Sequence, residues 1–112
     1  MKLIVAIVQD EDAGRLVSTL MKEGYGVTKL ATTGGFLRAG NTTLIVGVED
    51  EKLEGALGVV ERVCKSRKQI VNSGVATVDP TMLGSGALPT NIEIMVGGAT
   101  VFVLDVCRFA KF

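Results

Sequence analysis

The amino-acid order predicts an α+β fold in which an antiparallel sheet carries two helices on one face. Three observations predict it. An unbroken β-branched apolar run opens the chain, two stretches place apolar residues at helical spacing, and the other extended segments are separated by glycine-rich turns. With 112 residues, a single domain over 1–112 is expected.

Lys2 to Gln9 reads KLIVAIVQ, the pattern of a central strand covered on both faces. Asp10 is read as a helix cap. Glu11 and Asp12 follow at the positive dipole end, and Ala13, Leu16, Val17, Leu20 and Met21 recur at helical spacing. Gly24 closes this helix as the residue after its last turn. The pattern is extended from Tyr25 to Thr33, glycine-rich from Thr33 to Asn41, and β-branched again from Thr42 to Val48, which together read as a hairpin.

Asp50 is read as a second cap. Leu53, Ala56, Leu57, Val60, Val63 and Cys64 form a one-sided stripe, with Lys65, Arg67 and Lys68 at the negative end of the helix. Gln69 to Asn72 reads as a short strand. Gly74, Asp79, Pro80, Gly84, Ser85, Gly86 and Pro89 then mark a long, mobile loop. Asn91 to Val96 alternates, Gly97-Gly98 is read as either a bulge or a tight turn, and Ala99 to Val106 resumes as a strand. A short amphipathic tail, Cys107 to Phe112, ends the chain as given. The order is β-α-β-β-α-β with a long insertion before the last strand, which is that of a ferredoxin-like sandwich. Such a sheet leaves one face open. At 47% hydrophobic residues, the surplus points to packing of that face on copies of the chain, in a closed ring or a dimer.

Composition removes several function classes. Twelve basic and twelve acidic residues balance, so there is no overall positive field to attract nucleic acid or an anionic membrane. Histidine is absent, and with it the imidazole of hydrolytic triads and histidine metal sites. Cys64 and Cys107 form no CxxC pair and follow no signal-peptide pattern. A reduced, cytoplasmic chain with free, mostly buried thiols is expected. The apolar stretch Ile94 to Leu104 is too short to span a bilayer, so no membrane insertion is expected.

The densest polar constellation is Thr32 to Thr43, TTGGFLRAGNTT. It combines glycine-opened backbone amides, hydroxyls, an amide side chain, a guanidinium and an aromatic ring, a set able to bind phosphate oxygens and enclose a base. The plainer reading is a tight hairpin with Phe36 capping the core. No GxxxxGK[ST] motif is present, so a P-loop hydrolase is not indicated. Val96 to Thr100 is the second candidate, with a structural bulge the favoured reading of its glycines. Asp10, Glu11 and Asp12 are explained by a dipole-matched helix start without a metal. Both cysteines are read as structural.

The strings Ala6–Asp10 (AIVQD), Thr28–Thr43 (TKLATTGGFLRAGNTT) and Val96–Leu104 (VGGATVFVL) resemble the PII-like cyclic-di-AMP receptor family. The resemblance implies a ferredoxin-like homotrimer that binds cyclic-di-AMP in clefts between subunits and acts as a signal transducer. It implies ligand contacts at Thr28, Gly35, Phe36, Leu37, Asn41, Gly47 and Phe102, and no cofactor or metal. The family pattern has an arginine at the position of Gly26 and a glutamine at that of Lys111. The long loop here, Val78 to Pro89, also lacks the family's tyrosines.

The leading expectation is therefore a cytosolic sensor whose ligand, bound at subunit boundaries, orders the loops read by a downstream protein. A sensor of ATP, ADP or another adenine nucleotide is the alternative. An enzyme ranks last, since no base stands beside a nucleophile in the sequence. A purely structural trimer is the plainest case.

Overall fold

The computed structural model describes residues 1–30, 40–72 and 91–112. They form two compact units, Met1–Ser66 with Gly97–Phe112, and Arg67–Val96.

The first unit holds β1 (Lys2–Gln9), α1 (Asp10–Lys22), β2 (Val27–Leu30), β3 (Asn41–Val48) and α2 (Leu53–Cys64). Its last strand bears the label β6 (Ala99–Asp105), because β4 (Arg67–Asn72) and β5 (Asn91–Val96) belong to the second unit. The sheet order is β2-β3-β1-β6. Every neighbouring pair is antiparallel. This α+β arrangement is compatible with the expected ferredoxin-like sandwich. The second unit is a two-stranded antiparallel sheet whose register runs from Arg67 opposite Val96 to Asn72 opposite Asn91.

Alternation along β1 decides which face is core. Ile4, Ala6 and Val8 are buried, and they pair with Val46, Leu44 and Thr42 of β3. Ala13, Leu16 and Leu20 of α1 and Ala56, Val59, Val60, Val63 and Cys64 of α2 complete the same cluster, so both helices lie on one face. Leu3, Val5 and Ile7 point the other way, as the period of two requires. Phe102 and Leu104 pair with Val5 and Leu3 on that second face and are 54% and 48% exposed.

Several local expectations are corrected. Asp10 is the first residue of α1 rather than its cap. The cap position is Gln9, whose side chain makes no capping bond. Asp10 is instead fastened across the sheet: its N–H donates to the Gly40 carbonyl at 2.8 Å, and its carboxylate accepts the Thr42 hydroxyl at 2.5 Å. Asp50 opens a single 3-10 turn, Asp50–Lys52, ahead of α2. Its carboxylate pairs with the Met1 amine at 3.0 Å, and that hydrogen bond holds its pKa below the usual value. Arg67 and Lys68 begin β4 and so do not serve the end of α2, while β4 starts two residues earlier than the sequence suggested. Met21 faces solvent, 63% exposed, and leaves the core to its neighbours. Val59, left out of the expected stripe, is buried. Cys64 is buried as expected, but Cys107 is exposed, because the chain has left the sheet after Asp105.

Gly24 does close α1, with φ +89°. Its N–H donates to the Met21 carbonyl at 3.1 Å, and that of Tyr25 to Leu20 at 2.9 Å. The expected hairpin of β2 and β3 is present, though its connection over 31–39 lies outside the described residues, as does the loop over 73–90.

Leu16 is fully buried between the helices and the sheet. Leu16→Ala is expected to cost about 2–5 kcal/mol, read as a lower urea midpoint at unchanged slope. A loss below roughly 1 kcal/mol contradicts the packing described for α1.

Candidate functional site

Four of the seven candidate ligand residues lie in the described structure, and all four belong to the face of the sheet that carries no helix. Thr28 pairs with Ile45, Ile45 with Val5, and Val5 with Phe102, so these four residues form one row across the sheet. Gly47 pairs with Leu3 in the next row, and Asn41 pairs with Gln9 at the far end of β3. Gly35, Phe36 and Leu37 lie outside the described residues.

The spacing of the four is wide. Thr28 and Phe102 are three strand steps apart, about 14 Å at ~4.8 Å per step. Asn41 and Gly47 are six residues apart on one strand, about 20 Å at ~3.3 Å each. No single adenylate moiety spans these distances within one protomer.

Asn41 has close company of a different kind. With Ile7, Gly97, Gly98, Ala99 and Thr100 it lines a cavity of about 370 Å³. The fold thus brings together the two candidate constellations of the sequence, the end of the glycine-rich segment and the Gly97-Gly98 pair. Ile7 pairs in the ladder with Thr100, the last residue of the second candidate segment, and was not itself proposed as a contact from the sequence. The signal was present, since Ile7 follows Leu3 and Val5, and Thr100 precedes Phe102, on the same period-two face.

The glycine pair precedes β6, with φ of +80° at Gly97 and +95° at Gly98. Both backbone amides are engaged inside the unit. Gly97 N–H donates to Gln9 Oε1 at 2.8 Å, and Gly98 N–H donates to the Cys64 carbonyl. They do not form an open anion nest. The described cavity lining bears no charged side chain. At the opposite end of β1 the Lys2 ammonium donates to the Asp105 carboxylate, and that hydrogen bond raises the Lys2 pKa. An amide, a hydroxyl and apolar walls suit the edge and face of a nucleobase better than a phosphate.

Gly47 carries a further signal. It stands within a strand, where glycine is unfavourable, yet a Cβ built there meets nothing within 4 Å. The described part of this chain supplies no steric reason for the glycine. Gly26 is likewise open. A second cavity of about 320 Å³ lies between α2 and β6, where Leu57, Val60, Cys64 and Val101 are among the lining residues, and none of the four described candidate residues lines it.

Fold and cavity together define the class as an α+β protein with a small-molecule-sized pocket on its sheet. A family model described as cyclic-di-AMP receptor matches residues 1–112, and the chain belongs to that family, the PII-like group its motifs resemble. Among solved structures, a functionally unknown protein from Pediococcus pentosaceus ATCC 25745 is similar. It has a TM-score of 0.74 at 37% sequence identity, over 99% of this chain and 96% of that one. Among the described residues no helix is long and apolar enough to cross a membrane.

The glycines at positions 47 and 98 make opposite predictions. Gly98→Ala forces a side chain into the left-handed region and is expected to lower stability by about 1–2 kcal/mol. Gly47→Ala is expected to leave the denaturation midpoint of the isolated protomer unchanged or slightly raised. Equal losses at both positions contradict this account.

Proposed function

We propose that this protein is a cytoplasmic, non-catalytic sensor of cyclic-di-AMP. The ligand is bound between copies of the chain in a homotrimer, with Gly35, Phe36 and Leu37 among its contacts, and its level is relayed to a partner protein through loop ordering. The observation that carries the reading is the common placement of Thr28, Asn41, Gly47 and Phe102 on the uncovered sheet face. Family membership supports the ligand. The distances within one protomer support a site completed by a second copy, and Gly47, open in the free chain, supports a close approach from outside it. The apolar residues Leu3, Val5, Ile7, Ile45, Phe102 and Leu104 on that face support self-association.

The neutral cavity supports one adenine edge at Asn41, with phosphate contacts supplied elsewhere. Calorimetric titration with cyclic-di-AMP, with AMP and ATP as controls, tests the reading directly. Saturable heat for the dinucleotide alone is the expected result, and no heat at protein concentrations well above micromolar overturns it. Gly26, at the position of the family's arginine, favours a second reading, an ATP or ADP sensor. Thermal-shift competition separates the two, because the true ligand raises the melting temperature by mass action.

Asn41→Ala is expected to weaken dinucleotide binding by roughly 1–3 kcal/mol while sedimentation shows an unchanged assembly. Dissociation of that variant into protomers assigns Asn41 to architecture and removes it from the site.

A further inference from the structure

We propose that Gln9 is a positioning residue of the nucleotide site, a latch whose side chain sets the cavity wall opposite Asn41. This rests on reading the cavity around Asn41 as part of the ligand site.

Gln9 ends β1 directly across from Asn41. It occupies the cap position of α1 but gives the helix no side-chain bond. Its Oε1 reaches instead to the Gly97 N–H at 2.8 Å. The residue after it, Asp10, fastens Gly40 and Thr42, the two neighbours of Asn41 in the chain. Residues 9 and 10 therefore tie down two parts of one cavity's lining: Asp10 holds the strand that presents Asn41, and Gln9 holds the glycine pair at Gly97.

A latch is needed there because of the residue type. Glycine populates positive and negative φ with similar ease, so a pair of glycines does not hold two successive positive φ angles by itself. Gly98 is secured by the Cys64 carbonyl, and Gly97 is secured by the Gln9 side chain. With the acceptor gone, Gly97 regains its alternatives. The cavity then has to be ordered by the ligand at the moment of binding, which lowers affinity.

The test uses the full chain and cyclic-di-AMP. Gln9→Met keeps the length and removes the amide acceptor; Gln9→Ala is a second variant with the same expected effect; Gln9→Glu keeps an acceptor. In the free protein, amide exchange at Gly97, followed by NMR, is expected to accelerate at least fivefold in the Met and Ala variants. Exchange at Gly98 stays as in the wild type, and Gln9→Glu restores protection at Gly97. Dinucleotide affinity is expected to fall roughly tenfold in the Met and Ala variants. In Gln9→Met/Asn41→Ala, the combined loss is smaller than the product of the single losses, since both changes act on one cavity.

Wild-type affinity in both acceptor-free variants, or fully multiplicative losses, overturns the latch while leaving the ligand reading intact. If the wild-type chain itself shows no binding, the ligand reading falls. The latch is then judged on Gly97 exchange alone: acceleration upholds it and unchanged exchange overturns it.

Discussion

Everything in the larger unit depends on β1 being paired on both sides. Its eight residues pair with β3 along one edge, and Lys2 to Val8 pair with β6 along the other, so its alternation is imposed on the whole sheet. Ile4, Ala6 and Val8 commit one face to the helices, and Leu3, Val5 and Ile7 commit the other to whatever lies outside the protomer. A shift of one residue in that strand exchanges the two faces. Core and site are thus two outcomes of one register, and the candidate residues on β2, β3 and β6 share a face because β1 makes them share it.

The sequence made the two helices, the central strand and the hairpin legible because each rests on a local signal: period 3.6 in Leu16 and Leu20 or Val60 and Cys64, an unbroken apolar run in β1, and a left-handed glycine at position 24. It misplaced Asp10 and Asp50 because a cap is inferred from residue type beside a helix, whereas both carboxylates found partners distant in sequence, Thr42 and the Met1 amine. Cys107 was misjudged for a related reason. Cysteine is usually buried, but here the sheet has already ended. The pairing of β4 with β5, apart from the main sheet, is a long-range choice that no window of residues encodes.

The site was legible in part. Asn41, Thr28, Gly47 and Phe102 were named through resemblance, and their common face follows from register. Ile7, Thr100 and Gln9 stood in segments the sequence had marked, yet their meeting around one cavity needed the fold, because it rests on pairing between residues distant in the chain. The Gly97-Gly98 pair had been weighed as a backbone feature. Both amides are engaged within the unit, and the pair also lines the Asn41 cavity.

The absence of charge from the described lining of that cavity has a bearing on how recognition responds to its surroundings. On the proposed reading, the carboxamide of Asn41, the hydroxyl of Thr100 and the apolar contacts would meet the guest without any long-range attraction for ions to screen. The share of recognition assigned to these residues would then stay nearly constant as the electrolyte content of the surrounding solution rises and falls.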